Sequence, residues 1–291
     1  MLKYDSIAEL TAEAEKRKRR ISEIVLADQA EALETGEEEV YGKMAEDFRI
    51  MRESVREGMK PDQRSMSGLT GGEAWLMEQY RQEKGGLSGG FLGGAMARAL
   101  AVAGCNASMG RIVAAPTAGS CGILPGCLVS LLEERNVPEK ELVMAMMTAG
   151  AFGMVIASRA SIAGAQGGCQ AECGSAAAMA AAALTEVMGG TPAQCADACA
   201  MAVASQMGLV CDPVAGLVEI PCIKRNASGV MIAFASADMA LAGIGARIPA
   251  DECLDAMRRV GDALPEALKE TSGGGLAATP TGLKMKKKIF G

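Results

Sequence analysis

Apolar residues recur at helical spacing from the start of the chain. Ile7, Leu10, Ala14, Ile21, Ile24, Val25 and Ala32 lie three, four or seven apart, or at sums of those steps, which predicts helix over 6–34. A second helix is expected over 37–57. Past Gly58 the pattern loosens through Pro61, Gly68, Gly71 and Gly72 until Trp75, the only tryptophan. Glycine then punctuates the chain at KGGLSGGFLGG (84–94), before an alanine-rich helix to about 104 and a loop, GCNASMGRIVAAPTAGSCG, over 104–122. Further helices are expected near 124–135, 139–160, 171–188, 192–208, 228–245 and 250–263, with Val137-Pro138 and Thr191-Pro192 reading as helix starts. No strand-length alternation and no repeat of 20–50 residues is found. The expected fold is all-α: a single large helical domain with glycine-rich loops and a flexible C-terminal tail, TSGGGLAATPTGLKMKKKIFG, over 271–291.

Charge sharpens the picture. Residues 1–84 carry 33 charged side chains and residues 85–250 only 18, so the central part should be mostly interior. The chain accordingly divides into N-terminal charged helices, 1–64, packing on a body, 65–291. A net charge of -6 offers no basic field for nucleic acid, and the KRKRR run at 16–20 reads as a solvated helix face. The uncharged run at 112–132 contains Pro116, Pro125 and three glycines, while LVMAMMTAGAFGMVIAS at 142–158 is at the short limit for a membrane span and suits a buried central helix; no membrane insertion is expected. The charged, amphipathic start MLKYDSIAEL lacks the apolar core and cleavage site of a secretory signal, so a cytoplasmic location is expected.

Ten cysteines in a reducing compartment should remain thiols: buried fillers, metal ligands or reactive groups. The chain has no histidine. That excludes His-containing zinc sites, Ser-His and Cys-His nucleophile pairs, and the commonest general base, leaving cysteine, lysine, carboxylate, a hydroxyl or a group from another chain.

Cys195 and Cys199 sit one helical turn apart among alanines and Cys253 lies near Leu254 and Met257, so packing accounts for all three. Cys105, Cys121 and Cys127 lie in or near the glycine-rich loops. Cys169 follows two glycines at a helix start, Cys211 precedes Asp-Pro, and Cys222 follows Pro221. Prolines break helices, so these three fall at helix ends or on irregular backbone, where free peptide N–H groups can bond sulfur. Cys173, one turn from Cys169, competes with it. No zinc or ferredoxin spacing is present, and the pattern alone leaves a metal or cluster site and a structural explanation both open.

Taken together, SGGFLGG (88–94), APTAGSCGILPG (115–126), GAQGGCQAECGSA (164–176), CDPVAGLVEIPCIKRNA (211–227) and GGLAATPTGLKM (274–285) resemble the α chain of the iron–sulfur-dependent L-serine dehydratases, over residues 65 to the end. The resemblance implies that Cys169, Cys211 and Cys222, at intervals of 42 and 11, hold three irons of a 4Fe-4S cluster and leave the fourth open as a Lewis acid toward the hydroxyl of L-serine. Its glycine-rich blocks further imply Ser88, Asn106, Thr117, Gly119 and Ser120 as substrate-contacting residues, while within this chain Lys284, Lys224 and hydroxyls such as Ser88 are the candidate catalytic bases. Since histidine is missing, a β chain carrying a Ser-Ser-His-Thr-like motif is the expected source of the base, making a hetero-oligomer. Some single-chain relatives end in a cysteine that occupies the open iron, whereas this chain ends Ile289-Phe290-Gly291. Two other readings compete: an L-cysteine desulfidase-like cluster lyase, and a non-catalytic cluster-binding scaffold subunit.

Overall fold

A computed structural model describes residues 3–291. The helices are α1 (Ile7–Arg17), α2 (Ile21–Ala32), α3 (Glu37–Gly58), α4 (Glu73–Lys84), α5 (Gly90–Ala107), α6 (Ile123–Arg135), α7 (Glu139–Arg159), α8 (Gly164–Gly167), α9 (Ser175–Val187), α10 (Pro192–Gln206), α11 (Cys222–Leu241), α12 (Ala250–Ala263) and α13 (Pro280–Phe290). Among the described residues no strand forms, only an isolated bridge between Cys211 and Lys269. The all-α expectation holds.

The alanine-rich sequence explains the centre. Helix α9, SAAAMAAAALTEV, is buried along nearly its whole length and packs against α6, α7, α10 and α11. Alanine favours the helix and leaves little side chain between neighbours, so four helices can close around one. The long apolar helix α7 has 72% of its membrane-length window buried inside the protein, against α2, α3, α9 and α12. Its hydrophobicity is spent on the core.

The N-terminal helices join the same core through Ile7, Leu10, Ile21, Ile24, Phe48 and Met51, all nearly inaccessible. Two carboxylates from the body seat on their N-termini. Asp251 accepts from the Ile7 and Ala8 amides at 2.9 and 3.0 Å, and Glu186, at the end of α9, accepts from the Ser22 amide at 3.2 Å. Each satisfies donors that a helix start leaves unpaired and complements its dipole.

Burial raises the Glu186 carboxyl above its ordinary 4.5, while the Ser22 amide and the Arg20 guanidinium oppose the rise. A carboxyl with a raised folded-state pKa binds its proton more readily folded than unfolded. Its contribution to stability therefore falls as pH climbs from about 4.5 through the raised value. Glu186→Gln keeps an acceptor for Ser22 without a charge to bury. It should equal or exceed the wild type by up to about 1 kcal/mol at pH 7 and lose that part of the pH slope. Urea unfolding at pH 5 and pH 7 checks this, and a loss above about 2 kcal/mol at pH 7 would contradict it.

The structure differs from expectation in four places. The 6–34 segment is two helices, because Lys18 turns left-handed and the Glu23 carboxylate accepts from the Arg20 amide to start α2. The spacing of seven from Ala14 to Ile21 carried the pattern across the break. The KRKRR run stays solvated as expected but spans this junction instead of one helix face, and Arg20 reaches the Glu141 carboxylate at 2.5 Å. Helix α4 begins at Glu73, where the loose segment ends, and fills a stretch for which no element was expected; only Ala74 is buried along it, so its apolar signal is weak. Finally, the tail is ordered: Thr279 caps α13, with Pro280 in its first turn.

Candidate active site

Three segments carry the grouped cysteines to one place. Gly167 and Gly168 turn the chain out of α8, and Gly168 adopts φ +77 with no room for a Cβ, which would lie 2.7 Å from Leu264 and 2.9 Å from the Leu209 carbonyl. Cys169 follows at the start of a π-helical turn, Gln170–Gly174, that runs into α9. Cys211 lies in the irregular stretch after α10, its amide donating to the Leu268 carbonyl at 2.9 Å and its carbonyl accepting from the Glu270 amide at 2.8 Å. The Cys211 amide is thus not free for sulfur. Cys222 opens α11 immediately after Pro221, whose peptide bond is cis, as is that of Pro116.

Glu172 links the segments. Its Oε1 accepts from the Thr117 hydroxyl at 2.8 Å, and its Oε2 accepts from the Cys211 thiol at 3.7 Å. Thr117 also meets the Ser120 hydroxyl at 3.1 Å. Asn226, on α11, donates to the Gly119 carbonyl at 2.8 Å and the Cys222 carbonyl at 3.0 Å, and accepts from the Gly122 amide at 2.8 Å. Asn106, near the end of α5, donates to the Ala118 carbonyl at 3.3 Å. The 117–122 loop is therefore fastened both to the Cys169 turn and to the Cys222 helix. Gly164 faces this junction: a Cβ there would sit 2.6 Å from Glu172 Oε2 and 2.9 Å from the Cys211 sulfur.

Electrostatics distinguishes the thiols. Burial, with neighbouring anions, pushes Cys222 up to about 12 and raises Cys211 further. Cys169 runs the other way, lowered first by its hydrogen bond with Cys173, 3.4 Å away, and then by the Arg225 guanidinium. Cys173, fully enclosed, is correspondingly raised and stays a thiol. Burial raises Glu172 also. Among the described residues no three His, Cys, Asp or Glu side chains close on a single ion. A cluster with a separate iron at each corner takes one thiolate per iron and spreads its ligands. Three buried sulfurs that sense one another's charge, a guanidinium beside them and the bare Gly164 fit such a group.

The structure brings Asn106, Thr117, Gly119 and Ser120 together with Cys169, Cys211 and Cys222. It does not bring Ser88. That residue precedes α5, whereas Asn106 stands near its other end, about 25 Å away at 1.5 Å per residue. Ser88 instead borders a cleft of roughly 650 Å³ with Phe91, Arg135 and Phe234. Lys284 lies on α13, which packs on the Val214–Gly216 turn beyond Cys211, but its side chain is exposed, as is that of Lys224. Sequence reasoning passed over Glu172, Arg225, Asn226 and Asp212. A signal existed for the first: Glu172 is the only charged residue between Arg159 and Glu186.

Comparison with known proteins bears on what this geometry serves. The family model for the serine dehydratase alpha chain matches residues 16–277. The probable L-serine dehydratase, alpha chain, of Bacillus subtilis (strain 168) is 47% identical over 288 residues, covering 99% of this chain and 96% of that one. The L-serine dehydratase, alpha chain, of Peptoniphilus asaccharolyticus is 43% identical over 271 residues, 93% of each. The L-serine dehydratase TdcG of Escherichia coli (strain K12) is 45% identical over 181 residues, 62% of this chain but 40% of that protein.

Proposed function

This chain belongs to the serine dehydratase alpha chain family, and on that premise we propose that it deaminates L-serine to pyruvate and ammonia together with a β chain. The observation that carries the reading is the Glu172 junction, where the 117–122 loop meets the segment of Cys211 beside the other two grouped cysteines. Cys169, Cys211 and Cys222 would hold a 4Fe-4S cluster. Such a cluster, with three protein thiolates, supplies an open iron as Lewis acid for the departing hydroxyl.

The chain's own groups bind and orient. Asn106, Thr117, Gly119 and Ser120 form the substrate-binding edge, and Glu172 fixes Thr117 by accepting its proton in a hydrogen bond. The buried walls exclude water from the thiols. Removal of the Cα proton falls to a base on the β chain, supported by the missing histidine and by the larger size of the TdcG relative. Loss of water then gives aminoacrylate, whose imine tautomer hydrolyses to pyruvate and ammonia unaided. Residues 65–291 are the catalytic part and 1–64 brace it. All ten cysteines are free and buried, which suits a reducing cytoplasm.

The test is pyruvate formation by the chain co-purified with its β partner under anaerobic conditions and loaded with iron and sulfide. L-Serine should be turned over well ahead of L-cysteine, and exposure to air should abolish activity. Preference for L-cysteine would favour the desulfidase, and full activity in iron-free, air-exposed protein would sink the proposal.

A further inference from the structure

Arg225 stands in the first turn of α11, three residues after Cys222, and reaches back to the other cysteine-bearing segment. Its Nη1 donates to the Val210 carbonyl at 2.8 Å and its Nη2 to Asp212 Oδ1 at 2.8 Å, so the guanidinium grips the residues on either side of Cys211. Asp212 Oδ2 is occupied in turn by the Leu276 amide at 2.7 Å. The ion pair is largely enclosed, its side chains keeping 15% and 4% exposure.

An enclosed ion pair contributes little to stability, since desolvation offsets much of the attraction. Its value here is geometric. A planar fork can address a carbonyl and a carboxylate at once, whereas an ammonium offers one point charge. We propose that Arg225 is a positioning residue of the thiol site: it clamps both neighbours of Cys211 onto the helix that begins with Cys222, fixing the separation of those two sulfurs, and its charge offsets the thiolates. The charge-offsetting half rests on the cluster reading above. The clamp itself does not.

The experiment compares wild type, Arg225→Lys and Arg225→Gln in the full-length chain with two readouts. In metal-free protein, alkylation by iodoacetamide is followed at each cysteine by peptide mass spectrometry. Cys211 and Cys222 should react several-fold faster in both variants, with Cys195 and Cys199 unchanged. In protein loaded with iron and sulfide, a chelator should extract iron at least about tenfold faster from Arg225→Gln than from wild type, with Arg225→Lys between them. Unchanged alkylation in both variants, or an equal rise at all four cysteines, would overturn the clamp. Equal iron loss from all three proteins would overturn the charge role. A wild type that takes up no iron would instead overturn the cluster reading, and the alkylation pattern would still decide the clamp.

Discussion

Cys211→Ser is expected to strip the chain of iron, from about four per chain to near none after anaerobic reconstitution, and to abolish pyruvate formation with it. Serine is nearly the same size and keeps a hydrogen bond to Glu172, so the fold should survive. What it lacks is a thiolate, and a neutral hydroxyl is a poor ligand for iron. Cys195→Ala makes the contrast. Cys195 is wholly buried between helices, and trimming it should cost about 1 kcal/mol of stability while iron content stays at the wild-type level. Iron and sulfide analysis of the two variants checks this. If both lose iron, or both keep it, the division of the ten cysteines into ligands and fillers is wrong.

Gly164→Ala should be nearly as damaging with a smaller chemical change. Gly164 does not occupy the left-handed region, so alanine is compatible with its backbone. The methyl, however, would press on Glu172 Oε2 and the Cys211 sulfur, and both are already engaged, with each other and with Thr117. Displacing them by about 1 Å should lower activity by about 100-fold. The strain, about 1–3 kcal/mol, leaves the chain folded. Gly150→Ala in α7 is the control, since nothing lies within 4 Å of its Cβ and alanine should stabilise the helix by up to about 1 kcal/mol. Turnover and thermal unfolding of the pair separate a blocked site from a weakened fold. Wild-type turnover in Gly164→Ala would place the reacting groups elsewhere.

Much of this architecture was legible in the sequence, for reasons that can be named. Long helices such as α7 and α10 announce themselves through apolar content and proline starts, because burial and the proline ring act locally. Helix α4 was not legible: with only Ala74 buried, tertiary packing on α5 and local hydrogen bonds, not amphipathicity, hold it. The α1–α2 break was hidden because a seven-residue spacing fits one helix or two.

The site divides in the same way. The motif segments around Asn106, Thr117 and the grouped cysteines could be picked out because glycine and proline mark irregular backbone. Their fastening could not, since Glu172 meets Thr117 across 55 residues and Asn226 meets Gly119 across 107. Contacts of that range leave no periodic trace. Ser88 shows the reverse case: it shares a glycine-rich motif style with the loop, yet it stands at the other end of α5 from Asn106, a separation that motif style does not reveal.

In the mechanism proposed above, Cys169, Cys211 and Cys222 hold a four-iron cluster with one corner open to substrate. Mössbauer spectroscopy of the iron-57-loaded chain with its β partner, before and after L-serine, tests it most directly. About a quarter of the iron should change its signal when L-serine is added, as a single open corner requires. A cluster whose four irons are all unmoved by L-serine would mean that no corner is open to substrate.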